Sequence, residues 1–286
     1  MQCGRTFRLA FLLILISETA LAQAPRWKAV EAEADTLYNH QDFAGALKLY
    51  SKAIDANKLK DGQYEDKDVY NCLYKRAVCY YSTQEYTKAL KDLELFSPVY
   101  PKAPQPRLLK AFIYRELNDI DKQLVNLQEA MELIPPNADY LKWRGLLYLQ
   151  KNDYVHAIKD VKAARDFQDD PEVQTYLGLC YYNLDKKDSA YMSFNKAIEM
   201  DATYIAPYLY AGSVSLQDGA YDRSLEYLNL ALRLDPKNKE ALFYKGAALV
   251  ELKKFDEGCS CLNRAFYAGF DDAVDYLKEY CYEVEN

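Results

Sequence analysis

The sequence predicts an all-α protein built from repeated helix pairs. Three observations carry that expectation: a period of 34 residues recurs along the chain, apolar residues fall three and four apart, and histidine and glycine are scarce. The 286 residues are 50% hydrophobic and 28% charged, with 10 Gly, 10 Pro and 2 His. That is a folded composition rather than a disordered one. Thirty-six Lys plus Arg against 43 Asp plus Glu leave a net charge of -7, so a phosphate backbone would be repelled and nucleic acid is not an expected partner.

The chain opens on a segment with a different character. Arg5 and Arg8 precede an apolar run over residues 9–16, followed by Ala20, Leu21, Ala22 and Gln23. A basic flank, a short apolar core and a small-residue triplet read as a signal peptide over residues 1–22, cut after Ala22. The run is far shorter than the roughly 20 residues a membrane helix needs. No cysteine follows the triplet, so lipid attachment has no acceptor. The expectation is export, to a bacterial periplasm or cell envelope rather than the extracellular space, with no integral membrane span after cleavage. The lack of any Asn-x-Ser/Thr acceptor leans the same way.

Beyond residue 22 the repeat begins. Small residues head a column at Ala34, Ala77, Ala111, Gly145, Gly178, Gly212 and Gly246, stepping by 43, 34, 34, 33, 34 and 34. A second column, twelve residues later, holds Ala46, Ala89, Gln123, Ala157, Ala190, Ser224 and Gly258. A third holds Ala53, Phe96, Ala130, Ala164, Ala197, Ala231 and Ala265. The long step contains a charged insertion over residues 61–69, expected as a loop. Within a unit the apolar spacing is helical, as in Tyr176, Leu177, Cys180, Tyr181 and Leu184, then Phe194, Ala197 and Ile198. Polar breaks at residues 185–188 and 217–219 separate paired helices, while Pro101, Pro135, Pro171 and Pro236 punctuate unit ends. Small residues recur because helices approach closely only where no bulky side chain intervenes. Larger ones, such as Tyr148, Tyr181, Phe194 and Leu228, fill the space beside them.

These residues resemble the tetratricopeptide repeat family. One unit carries Leu177, Gly178, Tyr181, Ala190, Phe194 and Ala197 at the family's spacing; another carries Leu141, Gly145, Tyr148, Tyr154, Ala157 and Ala164. The resemblance implies a right-handed α-solenoid of about seven helix-turn-helix units, at 27–60, 70–103, 104–137, 138–170, 171–204, 205–238 and 239–272, with a capping helix in 273–286. Its core would be made of neighbour contacts, with separate domains not required. Gln123 and Phe96 depart from the pattern and make the second and third units less regular. The resemblance also implies protein or peptide binding in a groove lined by the first helix of each unit, although a fold never fixes its ligand.

Little in the sequence suggests chemistry. His40 and His156 are expected in turns between helices, with no Cys or His at metal-ligand spacing. No nucleophile elbow, phosphate-cradling loop or paired-histidine motif is present. The expectation is therefore no catalytic residue, no metal and no cofactor. Cys72 and Cys79 lie seven apart on one helix, about 10.5 Å at 1.5 Å per residue, which is beyond disulfide reach. Cys180 and Cys259 fit small buried hydrophobes, leaving Cys261 and Cys281 as the expected pair if a bridge forms.

Trp143, Tyr176, Tyr210 and Tyr244 recur two residues before each glycine of the small column. They serve either as a binding stripe or as packing between repeats, and the pattern favours neither. Tyr74, Phe112 and Tyr182 join them as candidate groove residues. Some tetratricopeptide domains hold acidic C termini with a clamp of Lys, Arg and Asn. Here Lys28, Lys75, Arg115 and Lys142 face Glu31, Asp35, Glu116, Asp139, Glu172, Glu240 and Glu251, so carboxylates outnumber cations. An apolar or basic peptide segment, such as an amphipathic helix, is the expected ligand. The functional expectation is a non-catalytic scaffold or adaptor for another exported protein, with a low-specificity chaperone-like carrier as the alternative. Nothing in the sequence sets an oligomeric state.

Overall fold

The computed structural model describes residues 26–59 and 64–282; the expected signal peptide lies outside them. Fifteen helices are present among the described residues. They are α1 (Arg26–Asn39), α2 (Phe43–Asn57), α3 (Val69–Ser82), α4 (Tyr86–Phe96), α5 (Gln105–Glu116), α6 (Ile120–Met131), α7 (Ala138–Gln150) and α8 (Tyr154–Phe167). There follow α9 (Pro171–Asn183), α10 (Lys187–Met200), α11 (Ala206–Gln217), α12 (Tyr221–Leu234), α13 (Lys239–Glu251), α14 (Phe255–Tyr267) and α15 (Ala273–Tyr280). None is long and apolar enough to cross a membrane. The helices form two compact units, dividing between Pro135 and Pro136. The first contains α1–α6 and the second α7–α15. The 34-residue period runs through this division without marking it.

Each hairpin is locked by one small and one large residue sixteen positions apart. In the first unit the pairs are Ala34 with Tyr50, Ala77 with Leu93 and Ala111 with Leu127; in the second they are Gly145 with Val161, Gly178 with Phe194, Gly212 with Leu228 and Gly246 with Leu262. All seven large partners are 0% exposed. The glycines are needed because of the fit. A Cβ at Gly212 would lie 2.6 Å from Leu228 Cγ, one at Gly246 2.7 Å from Leu262 Cγ, and one at Gly178 would fall on the Phe194 ring. The second and third columns are buried as well, including the irregular members Gln123 and Phe96. Ser224 uses its position to donate to the carbonyl of Gly212 at 2.8 Å, a partner that makes a hydroxyl tolerable in the core.

The turn inside each hairpin has its own recurring feature, which composition hides. Gln41, Gln84, Asn118, Asn152, Asp185, Gly219 and Lys253 all have left-handed backbone, with φ between 55° and 72°. They step along the chain with the same period as the small column. One is glycine and three are Asn or Asp, which tolerate this conformation, so the turn geometry overrides side-chain preference at Gln41, Gln84 and Lys253. The next residue caps the second helix. Asp42, Asp119 and Asp153 accept from the backbone N–H of Gly45, Lys122 and His156, satisfying a donor that the helix leaves open.

Two hairpins carry an ion pair between a buried carboxylate and a partly buried arginine. Arg76 Nε and Nη2 donate to Asp92 at 2.7 and 2.8 Å, and Arg144 does the same to Asp160 at 2.7 and 2.8 Å. Arg76 also reaches Ser51 Oγ of the preceding hairpin at 3.1 Å. Fork geometry and burial make these pairs costly to break.

The insertion folds back on the first hairpin where it is described. Asn57 is buried, and its Oδ1 and carbonyl accept from the N–H groups of Asp66 and Glu65 at 3.0 and 3.1 Å. Val69, expected as the last loop residue, instead opens α3 and is fully buried.

At the other end, the expected pairing of Cys261 with Cys281 is corrected. The disulfide joins Cys259 to Cys281, with Cα atoms 5.6 Å apart. Residues two apart on a helix point about 200° apart, so only one of Cys259 and Cys261 can face the cap helix. Cys261 is the one turned inward, buried as a free thiol. Cys259 is therefore no buried hydrophobe but a tether for α15. The same helix buries Ala273 and Leu277 and sets the Tyr276 ring 5.3 Å from Phe243, while Phe270, just before it, lies 4.6 Å from the same ring.

Two stability predictions follow from these contacts. Gly178→Leu should destabilise by roughly 1 to 3 kcal/mol or more through overpacking against Phe194, read as a lowered denaturant midpoint; an unchanged midpoint would place Gly178 outside the hairpin contact. Lys253→Gly should stabilise by about 0.5 to 1 kcal/mol, the left-handed penalty less the entropy of glycine, measured by chemical denaturation.

Candidate functional site

The second unit presents a concavity of about 280 Å³ lined by Asp139, Lys142, Trp143 and Leu146 of α7 with Glu172 and Tyr176 of α9. Helical spacing makes it: residues 139, 142, 143 and 146 share one face of α7, and 172 and 176 one face of α9. An adjoining hollow of about 340 Å³ is lined by Asp170, Pro171, Glu172, Asp201 and Tyr204.

Electrostatics organise this surface around one lysine. Lys142 Nζ lies 2.7 Å from Glu172, 3.1 Å from Asp170 and 3.6 Å from Asp139. Burial works against its charge, but the hydrogen bonds it donates to Glu172 and Asp170 outweigh that and hold its pKa well above the usual lysine value. Asp170 is fixed twice, since its other oxygen caps α9 by accepting from Val173 N–H at 2.8 Å. Glu172 is fixed by the Tyr176 hydroxyl, which donates to it at 3.0 Å. Burial, reinforced by Glu172, pushes the Tyr176 phenol far up, so it remains a donor at neutral pH. Three carboxylates around one ammonium leave the concavity net negative. Asp139, with its side chain 86% exposed, stands at its mouth.

The candidate aromatic residues divide by environment. Trp143 and Tyr176 wall the concavity. Tyr210 is 37% exposed, whereas Tyr244 is half-buried with its ring 5.4 Å from Phe243. Tyr182 is half-buried and its hydroxyl donates to Asp218 at 3.1 Å; burial and then Asp218 push its phenol up to about 12. Tyr74 and Phe112 belong to the first unit. Tyr74 packs 5.6 Å from Phe96, and the Arg115 guanidinium lies 5.2 Å over the Phe112 ring. The stripe thus mixes the roles that the spacing allowed: Tyr244 and Tyr74 pack, while Trp143 and Tyr176, both half-buried, line the concavity.

The four cations read from the sequence on the candidate groove face are all engaged by carboxylates. Lys28 pairs with Asp68 at 2.7 Å, Lys75 with Asp35 at 2.7 Å, Arg115 with Glu116 at 3.1 Å, and Lys142 as described. Asp170 and Tyr204 escaped the sequence reading. Asp170 was visible only as the polar residue before Pro171, a helix-start signal, and Tyr204 follows a loop whose course no period sets.

His156 is corrected in placement. It lies in the first turn of α8 rather than in the preceding turn, with Nδ1 2.7 Å from Asp153 and its ring 5.2 Å from Tyr148. His40 does lie in a turn, with Nδ1 2.7 Å from the Thr36 carbonyl. Among the described residues no cluster of three or more His, Cys, Asp or Glu could hold a metal. Burial pushes the thiols of Cys72, Cys79 and Cys180 up to about 12, which keeps them protonated and unreactive.

Comparison with known proteins places this geometry in a family. Tetratricopeptide repeat profiles match residues 31–96, 172–204 and 209–265, together more than half of the chain. The chain is 22% identical over 264 residues to the Hsp70-Hsp90 organizing protein of Triticum aestivum, covering 77% of this chain and 43% of that one. It is 24% identical over 175 residues to Tetratricopeptide repeat protein 6 of Homo sapiens, covering 61% of this chain and 34% of that one. It therefore spans less than half the length of these relatives. A solved tetratricopeptide repeat protein from Parabacteroides merdae superposes with a TM-score of 0.71 at 14% identity, over 88% of this chain and 97% of that one. Locked hairpins repeating every 34 residues, profile matches over most repeats and a shared fold lead to one conclusion: the chain belongs to the tetratricopeptide repeat family.

Proposed function

We propose that this protein is an exported, non-catalytic adaptor that binds an apolar or basic peptide segment of a protein partner on the first-helix surface of its second unit. Tetratricopeptide repeat proteins mediate protein–protein interaction, and one relative is named as an organizing protein for two others. The observation that carries the finer reading is the concavity walled by Trp143 and Tyr176 and rimmed by Asp139 and Glu172. Its aromatic walls suit apolar contact, and its surplus of carboxylates disfavours acidic termini. Aromatic residues in partly enclosed sites are where binding energy concentrates.

Export is supported by two independent features. One is the basic flank, apolar run and small triplet of residues 5–22. The other is the Cys259–Cys281 bridge, because disulfides persist in oxidising compartments and are rare in reducing ones. A bacterial periplasm or cell envelope fits both.

Affinity capture of the mature protein from its native cell, followed by mass spectrometry, should return one saturable partner. Replacing Trp143 or Tyr176 by Ala should weaken that partner by at least about 1 to 2 kcal/mol while the thermal melt stays nearly unchanged. Full affinity in the double variant would move the working surface elsewhere. For export, intact-mass analysis of the purified protein should show a chain beginning at Gln23; Met1 retained on membrane-bound protein would overturn that part.

A further inference from the structure

The geometry points to a single arginine side chain of the partner as the group seated between Trp143, Asp139 and Glu172. This rests on the peptide-binding reading above and narrows it to one side chain and one contact set.

Charge is the first argument. Lys142 neutralises one of the three carboxylates around it, at 2.7, 3.1 and 3.6 Å, and among the described residues no other cation lines the concavity to match the remaining two negative charges. The carboxylates are not equivalent. Asp170 is turned inward, its side chain 17% exposed and spent on Lys142 and the α9 cap. Glu172 is 41% exposed and Asp139 86% exposed, so these two carry the surplus charge to the open side. A purely apolar ligand covering them would strip their water and give nothing back. A neutral or anionic one would be rejected. A cationic group is the ligand that the rim compensates.

The walls decide which cation. Trp143 and Tyr176 offer aromatic surface, and Leu146 completes an apolar side. A guanidinium is planar and weakly hydrated, stacks on an indole face and still directs its N–H groups outward in its plane. Five donors in a fixed fork can serve Asp139 and Glu172 together. An ammonium is a strongly hydrated point charge, and its natural place among these carboxylates is already filled by Lys142. The site is also prepared in advance. Tyr176 and Lys142 hold the two Glu172 oxygens, at 3.0 and 2.7 Å, so little rotamer freedom is lost on binding.

The test uses the mature full-length protein and a phage-displayed random-peptide library. Selection on the wild type should enrich arginine at one fixed position of the recovered sequences. Selection on Asp139→Asn, a change at an exposed side chain, should lose that arginine while retaining the flanking apolar positions. In calorimetry with one recovered peptide, exchanging its arginine for the neutral isostere citrulline should weaken binding at least about tenfold, and exchanging it for lysine should weaken it less. Trp143→Leu should lower affinity for the arginine peptide and leave the citrulline peptide little affected. Enriched peptides without a fixed arginine, equal binding of the citrulline peptide, or arginine enrichment unchanged in Asp139→Asn would overturn the proposal while leaving the peptide-binding reading standing. Failure to enrich any sequence over the unselected library would overturn both.

Discussion

The structure depends on the contact between a small residue on the first helix of each hairpin and a large one sixteen residues on. Sixteen residues is the distance that carries the chain down one helix, through a turn and back to the same level, so this pair meets only if the turn has the right length. The turn is kept to length by a left-handed residue at the same register in all seven hairpins, from Gln41 to Lys253. Close approach and tight turn therefore require each other. Where the first member is glycine, as at Gly178 and Gly212, the partner occupies the volume a Cβ would need. This is why Phe194, a full aromatic ring, can be completely buried between two short helices.

Charge is handled in two ways on this frame. Arg76 with Asp92 and Arg144 with Asp160 sit deep within hairpins, forked and hydrogen-bonded, where loss of one partner would strand a buried charge. On the first-helix surface the pattern reverses, and Lys28, Lys75, Arg115 and Lys142 are each held by carboxylates, leaving acid in excess. The concavity at Trp143 follows from that imbalance: the neighbouring acids that neutralise Lys142 also make the site attractive to a cation.

The cap shows how local periodicity can mislead. Spacing suggests burial for Cys259 and pairing for Cys261, yet a rotation of about 200° between them sends Cys261 inward and Cys259 toward Cys281. Spacing within α14 could not choose, because the direction from which α15 arrives is a tertiary matter. The aromatic stripe has the same character. Tyr244 meets Phe243 and packs, whereas Trp143 lines a concavity together with Glu172 and Tyr176 of the next first helix.

By itself the sequence determined the helical class, the period, the three small columns and the excess of carboxylates over cations on first helices. These are properties of spacing and composition, and a 3.6-residue helix converts spacing directly into faces. Only the tertiary structure decided where the chain divides into two compact units, which cysteine holds the cap, and which of four equivalent aromatic positions line the concavity. It also placed Asp170, which caps the start of α9, beside Lys142 of α7. Such pairings depend on how neighbouring helices meet. Their geometry comes from many buried contacts acting together, and no local pattern encodes it.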